Sequence, residues 1–253
     1  MVLNNFRYLA NKYIDKHSEW LIKHNVSPNT LTIIGFIISS IAAIGFAFPT
    51  IFIYKWYLAW LPCLLFFISG YFDVLDGGVA RKANRVTKFG AFLDSTLDRI
   101  SDSIIVLGLM FGQMFWHWDK NINDFLGLLI LISTLMISYT RSRAENEGVF
   151  MKGIGLMERA ERILIIIGAY IIESCLKNDE LINFGIYKPS NPYTYWFFPL
   201  FSIFYLGLLV ITVVQRILHV YKWTNNKISE KYLTKYKIKD QYQEYIKRIN
   251  ENK

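Results

Sequence analysis

Four aspartates set between strongly apolar stretches are the residues of this chain best suited to chemistry: Asp73, Asp76, Asp94 and Asp98. Ionisable side chains at membrane depth are costly, so they normally mark a functional site. On helices, the first two are three residues apart and the last two are four apart, so each pair shares one helix face. If the two faces meet, the carboxylates repel each other unless hard cations neutralise them. Because all-oxygen ligation suits Mg²⁺ or Mn²⁺, the pattern predicts a site for two divalent metal ions.

Six apolar segments must position these aspartates. Hydrophobic residues make up 53% of the 253 residues, and a helix needs about 20 mostly apolar residues to cross a bilayer. Segments of about that length lie at 31–49, 54–74, 92–117, 124–142, 160–176 and 195–220. We therefore expect an all-α integral membrane protein with six transmembrane helices.

The basic residues are distributed unevenly around these segments. Lys and Arg number four in 1–27, four in 77–93, five in 141–162 and ten in 216–253, whereas the alternate connections hold only four lysines. By the positive-inside rule, both termini and the aspartate site should lie on the cytoplasmic side of the cell membrane. The chain shows no nucleic-acid-binding motif, so the net charge of +8 favours anionic lipid headgroups and phosphate-bearing substrates as partners, and no nucleic acid.

The two ends of the chain differ from its apolar middle. Residues 1–26 predict an amphipathic helix at the membrane interface, because apolar and basic residues recur there at helical spacing just before the first span. Residues 27–220 would form the six-helix domain, whose first helix begins with Ser27 as N-cap and Pro28 at its first position. Residues 221–253 are strongly polar but carry an apolar stripe, which predicts a cytoplasmic helical tail.

The spacing of the acidic run carries a resemblance to a known family. From Asp73 to Asp98 the chain reads D-x2-D-G-x2-A-R-x8-G-x3-D-x3-D. At all eight fixed positions this run is similar to the signature of the CDP-alcohol phosphotransferase family. The resemblance implies a six-helix membrane enzyme, usually a homodimer, that moves a phosphatidyl group from a CDP-linked lipid to an alcohol and releases CMP.

The same resemblance implies a role for the residues of the motif. One divalent ion would be held by Asp73, Asp76 and Asp94, and a second by Asp73, Asp94 and Asp98. Asp98 would also be the catalytic general base for the incoming hydroxyl, close to a metal that makes this hydroxyl more acidic. Gly77 has no side chain, so the nucleotide could approach the helix backbone. The expected CDP-lipid-binding residues are Asn29, Thr30, Leu31, Thr32, Gly77, Ala80, Arg81 and Thr87.

Three arginines at predicted cytoplasmic helix ends bear on the acceptor: Arg141, Arg162 and Arg216. Guanidinium groups bind phosphate through paired hydrogen bonds, which suggests a phosphorylated alcohol. Positive-inside anchoring with local ion pairs explains the same charges equally well. The segments S-Y-T-R-S-R-A-E (138–145) and E-R-A-E-R (158–162) resemble the phosphatidylinositol-phosphate synthase branch of the family. That resemblance implies that the three arginines bind the phosphate of inositol phosphate.

The sequence leaves alternatives open for the substrates and for the class of protein. Generic apolar helix faces do not distinguish diacylglycerol from archaeol as the lipid. Glycerol 3-phosphate, free inositol or serine are alternative acceptors. Outside the family, an intramembrane prenyltransferase also uses aspartate-rich Mg²⁺ motifs, and a transporter can hold buried aspartates. Neither of these two classes requires the D-G-x2-A-R core, so the signature favours the transferase.

Overall fold

The computed structural model describes residues 14–52, 56–151, 153–176 and 197–225, and the regular secondary structure in these ranges is α-helix. Residues 14–23 belong to the first helix, α1. The helices that follow are α2 (Pro28–Ala47), α3 (Pro49–Phe52), α4 (Trp56–Lys82), α5 (Lys88–Phe111), α6 (Lys120–Asn146), α7 (Arg159–Leu176) and α8 (Phe197–Thr224). The predicted all-α class is confirmed for the described residues.

Six of these helices lie at the six predicted apolar segments, namely α2 and α4 to α8. Four are long and apolar enough to cross a membrane: α2, α4 over Leu58–Lys82, α6 and α8. Helices α5 and α7 each carry at least four acidic or basic residues in every 18-residue stretch. Such charge is unusual in a span, and part of it comes from the predicted site residues Asp94, Asp98 and Arg162. The chain is therefore a multi-pass membrane protein, and six spans stay a prediction.

The starts of α2 and α5 follow from local residue chemistry. Ser27 Oγ accepts a hydrogen bond from a backbone N–H of the first turn of α2 at 3.1 Å, and Pro28 is the first residue of that helix, so the predicted N-cap is confirmed. Thr87 is the N-cap of α5, and its Oγ1 accepts a hydrogen bond from the backbone N–H of Gly90 at 2.9 Å. Only five residues, 83–87, connect α4 to α5. This short connection keeps the two aspartate-bearing helices close together in space.

Helix α2 is the shared support of α4 and α5, because both pack against it. Helix α5 approaches α2 so closely at Gly108 that a Cβ atom there would lie 2.3 Å from the backbone oxygen of Ala43. About two turns before Gly108 on α5, the buried Ser101 Oγ accepts a hydrogen bond from Ser39 Oγ of α2 at 2.9 Å. Because α2 holds both partners, it sets the separation of the two helices that carry the aspartates.

The described part of α1 packs on the carboxyl end of α4. Lys82 Nζ lies 3.0 Å from Asp15 Oδ1 and 3.1 Å from Glu19 Oε1. The predicted N-terminal amphipathic helix is thus helical over its described part and contacts α4, while its placement at the membrane interface stays a prediction. Residues 1–13 and most of the predicted tail, 226–253, lie outside the described residues.

We predict that Gly108→Ala destabilises the protein, because the added methyl group meets the Ala43 carbonyl oxygen at 2.3 Å and α5 must move away from α2. Overpacking of this kind costs about 1–3 kcal/mol, so the midpoint of thermal unfolding in detergent should fall. Gly207→Ala is the matched control, since a Cβ atom there meets nothing within 4 Å. Equal midpoints for the two variants would contradict the close approach of α2 and α5.

Candidate active site

Three of the four aspartates form a compact cluster. One carboxylate oxygen from each of Asp73, Asp76 and Asp94 lies within 4.8 Å of the other two. Oxygens on opposite sides of a bound Mg²⁺ are about 4 Å apart, so the cluster suits the ligand shell of one hard cation. Asp94 Oδ1 is buried and makes no hydrogen bond within the described part of the chain. A buried, unsatisfied carboxylate oxygen needs such a partner, and the residues present therefore fit the predicted metal.

Thr32 orients one carboxylate of the cluster from α2. Its hydroxyl donates a hydrogen bond to Asp76 Oδ2 at 2.5 Å, and Asp76 is buried. Thr32 is the fifth residue of α2, so the position of this carboxylate depends on where α2 begins. A residue predicted to bind the nucleotide thus also holds a candidate metal ligand in place.

Asp98 meets a guanidinium group and lies outside the compact cluster. Arg159 Nη1 is 2.6 Å from Asp98 Oδ1 and 2.7 Å from Asp73 Oδ2. A fixed positive charge therefore bridges two of the carboxylates predicted to share the second ion. Arg159 has no role in the sequence-based prediction, although it stands in the same E-R-A-E-R segment as Arg162. The segment was the available signal, but nothing local to it indicates a contact with aspartates on other helices.

A cavity of about 320 Å³ opens beside Asp76 and Asp94. Its lining includes six of the eight residues predicted to bind the CDP-lipid: Asn29, Thr32, Gly77, Ala80, Arg81 and Thr87. The other two lie elsewhere, because the Thr30 hydroxyl bonds to the N-cap of α2 and Leu31 is buried in a hydrophobic cluster. Arg85, which has no sequence-based role, also lines this cavity. We call this space the nucleotide-side cavity.

A second cavity, of about 440 Å³, adjoins Asp94 and Asp98 and brings together all three predicted acceptor arginines, Arg141, Arg162 and Arg216. We call it the arginine cavity. Because Asp94 lines both cavities, the two spaces adjoin the same carboxylate. Any group bound in one cavity and any group bound in the other would therefore approach the aspartates together.

The three arginines of this cavity are held in different ways. Arg141 is partly exposed and pairs with Glu145, four residues along α6, at 2.9 Å. Arg162, only 5% exposed, donates through Nη2 to Asp102 Oδ2 at 2.5 Å. Arg216, only 2% exposed, donates to two backbone carbonyl oxygens, at 3.0 Å from Nε to one of them. Unlike the other two, Arg216 forms no ion pair within the described residues, although Glu145 and Glu158 interact with its charge at longer range.

The sequence matches one protein family over most of its length. Residues 25–223 match the sequence model of the CDP-alcohol phosphatidyltransferase family. The archaetidylinositol phosphate synthase of Methanothermobacter thermautotrophicus is 34% identical over 221 residues, which are 87% of this chain and 95% of that relative. The phosphatidylinositol phosphate synthase of Mycobacteroides abscessus is 32% identical over 196 residues, which are 78% of each chain.

Solved structures of one enzyme resemble the fold over most of the chain. The crystal structure of Mycobacterium tuberculosis phosphatidylinositol phosphate synthase with CDP-DAG bound has a TM-score of 0.63 and 26% identity, covering 83% of this chain and 94% of that one. The complex of the same enzyme with manganese and citrate has a TM-score of 0.62 at 26% identity, covering 82% and 88%. The chain described here belongs to the CDP-alcohol phosphatidyltransferase family and is a membrane-embedded transferase of phospholipid synthesis.

Proposed function

We propose that this enzyme transfers the lipid-phosphate group of a CDP-linked lipid to inositol 1-phosphate, releasing CMP and forming a lipid inositol phosphate. The observation that carries the proposal is that Asp94 lines both cavities, so that donor and acceptor can meet at the aspartates. In-line displacement needs the attacking and leaving oxygens on opposite sides of phosphorus. The names of the relatives, archaetidylinositol and phosphatidylinositol phosphate synthases, support this acceptor.

The nucleotide-side cavity suits the CDP portion of the donor. Gly77 and Ala80 present little or no side chain, so a nucleotide can lie against the backbone of α4. The Arg81 guanidinium lies 3.1 Å from where a Cβ atom of Gly77 would stand, which puts a positive charge within reach of a diphosphate. The relative solved with CDP-DAG bound supports this class of donor. Diacylglycerol and archaeol are both compatible with this chemistry, because the two lipids differ only in their apolar tails and the linkages to them.

The arginine cavity suits an acceptor that carries a phosphate. A buried guanidinium without a close counter-ion is costly. Within the described residues Arg216 donates to carbonyl oxygens, and Glu145 and Glu158 act on its charge only at longer range. A phosphate oxygen pair would supply the missing negative charge through bidentate hydrogen bonds. Free inositol lacks that charge, and the relatives favour inositol phosphate over glycerol 3-phosphate or serine.

The carboxylates divide between ion binding and proton transfer. Asp73, Asp76 and Asp94 would hold one Mg²⁺ or Mn²⁺, and Asp73, Asp94 and Asp98 would hold a second. When bound, such ions neutralise a diphosphate and stabilise the charge that develops on departing CMP. Asp98, which lines the arginine cavity, would accept the proton of the attacking hydroxyl. The manganese complex of the mycobacterial relative supports a divalent ion.

The proposal also covers the placement of the enzyme in the cell. We place it in the cytoplasmic membrane as a homodimer with six spans, with both termini and both cavities on the cytoplasmic side. The uneven distribution of basic residues supports this orientation. The catalytic domain would be 27–220, close to the family match of 25–223. The dimer rests on the family resemblance alone.

We predict that Asp94→Asn abolishes turnover, because Asp94 is the carboxylate common to the candidate metal cluster and both cavities. Loss of a metal ligand should lower CMP release by more than about 100-fold. The assay is CMP release from a CDP-lipid with inositol 1-phosphate over a Mn²⁺ titration. Asp124→Asn, an aspartate paired with Lys120 on α6, is the control. Near-normal turnover of Asp94→Asn would refute the assignment.

We predict that Arg216→Lys raises the KM for inositol 1-phosphate and leaves the KM for the CDP-lipid nearly unchanged, because Arg216 lines only the arginine cavity. A hydrogen bond to a charged group contributes about 1.5–3 kcal/mol, which is roughly a 10- to 100-fold change. Lys222→Ala, an exposed residue in the last turn of α8, is the control. Equal increases in both KM values would remove Arg216 from the acceptor site.

We predict that Arg159→Met strengthens the binding of Mn²⁺, because the guanidinium that bridges Asp73 and Asp98 repels a second cation at the same carboxylates. At a few ångströms the repulsion between like charges is worth several kcal/mol at an effective dielectric constant of about 20, so a gain of about 10-fold is a modest expectation. Isothermal titration of purified protein with Mn²⁺ measures it. Arg143→Met, an arginine paired with Glu147 on α6, is the control. Unchanged or weaker binding would show that Arg159 does not oppose the ion.

A further inference from the structure

Asp102 is a buried carboxylate that belongs neither to the eight-position signature nor to the candidate metal cluster. It lies four residues beyond Asp98 on α5 and is only 9% exposed. Its Oδ2 accepts a hydrogen bond from Arg162 Nη2 at 2.5 Å, and its Oδ1 lies 3.5 Å from Arg159 Nε. Asp102 therefore contacts two guanidinium groups, both supplied by the start of α7.

The two arginines reach different parts of the site. Arg159 extends to Asp73 and Asp98, among the candidate metal ligands, whereas Arg162 lines the arginine cavity. Asp102 lies between them, with one carboxylate oxygen facing each. Two guanidinium groups three residues apart at a helix start repel each other, and a shared carboxylate lowers that repulsion while holding each side chain in its own direction.

Stability alone is a weak reason for this ion pair to be buried. Replacing a buried ion pair by apolar residues is often neutral or stabilising, because desolvation offsets the attraction. The contact with Asp102 uses Nη2 of Arg162, and a guanidinium has five N–H donors. The remaining donors can therefore serve a ligand in the cavity that Arg162 lines. Arg162 is held by a carboxylate from a different helix, unlike Arg141, whose partner is on its own helix.

We propose that Asp102 is a positioning residue of the acceptor site: by holding Arg162 it directs this guanidinium at the phosphate of the acceptor and keeps it apart from Arg159. The inference rests on the proposed function. Asp102 lines the arginine cavity and not the nucleotide-side cavity, which places it on the acceptor side of the site. Its effect should therefore appear in acceptor binding and not in donor binding.

The test is steady-state CMP release by full-length Asp102→Asn, which removes the charge and keeps the volume. We expect the KM for inositol 1-phosphate to rise roughly 10-fold, as for a charged hydrogen bond that is misdirected. The KM for the CDP-lipid and the affinity for Mn²⁺ should stay within about twofold of the wild type. Asp124→Asn is the control, because its carboxylate pairs with Lys120 on α6 and lines neither cavity.

A double variant separates positioning from a general structural effect. In an Arg162→Ala background, Asp102→Asn should add almost nothing to the KM for inositol 1-phosphate, because residues that act through one another are not additive. Additive effects, or equal rises in both KM values for Asp102→Asn, overturn the inference. If Asp102→Asn does not fold, Asp102→Glu replaces it. That variant keeps the charge but moves it by one methylene, and it should raise the acceptor KM alone, about threefold.

Wild-type turnover keeps this inference distinct from the proposed function. If the wild type releases CMP with inositol 1-phosphate and the Asp102 variants change both KM values alike, the inference fails and the proposed function stands. If the wild type releases no CMP with inositol 1-phosphate but does so with an unphosphorylated alcohol, the acceptor assignment fails and takes the inference with it.

Discussion

Repulsion among carboxylates in an apolar surrounding is the constraint on which this structure depends. Five aspartates lie in the carboxyl half of α4 and in α5 up to its middle: Asp73, Asp76, Asp94, Asp98 and Asp102. Two such charges about 4 Å apart repel by about 4 kcal/mol even at an effective dielectric constant of 20. Arg159 and Arg162 from α7 form ion pairs with three of the five, Asp73, Asp98 and Asp102. Asp76 and Asp94 make no ion pair within the described residues. The uncompensated charge is therefore concentrated where α4 and α5 meet the nucleotide-side cavity, which is where a divalent ion is needed.

Helix α2 holds the mutually repelling aspartates in a defined arrangement. It packs against both aspartate-bearing helices, and glycine at position 108 lets α5 approach its backbone. The same helix carries Thr32, whose hydroxyl orients Asp76. The helices that carry the aspartates pack on α2, and Arg159 and Arg162, which pair with three of these aspartates, lie at the start of α7. No single helical hairpin therefore contains the site. Separate helices must be in register before the charges compensate each other, so assembly of the helices and assembly of the site are the same event.

The part of the site that local spacing predicts is the part that lies on single helices. The intervals Asp73–Asp76 and Asp94–Asp98 place each pair on one face, and Ser27 followed by Pro28 predicts the start of α2. The contacts of Arg159 could not be predicted this way, because they join residues on different helices. The contacts of Asp102 could not be predicted for the same reason, although Asp102 continues the four-residue spacing of Asp94 and Asp98. Local chemistry predicts helix ends and faces, whereas ion pairs between helices depend on packing that no short pattern records.

The different partners of the arginines explain how one cavity could orient an acceptor under the proposed function. Arg216 donates to carbonyl oxygens, and Glu145 and Glu158 oppose its charge only at longer range, whereas Arg162 is in direct contact with the carboxylate of Asp102. A buried charge without a counter-ion attracts an anion more strongly than a paired one does. The phosphate of an acceptor would therefore be drawn toward α8, where Arg216 lies. Asp94 and Asp98 on α5 also line this cavity, and their carboxylates repel a phosphate. An acceptor with phosphate at one end and hydroxyl at the other would then be favoured with its phosphate near Arg216 and its hydroxyl near Asp98, which is the orientation that transfer requires.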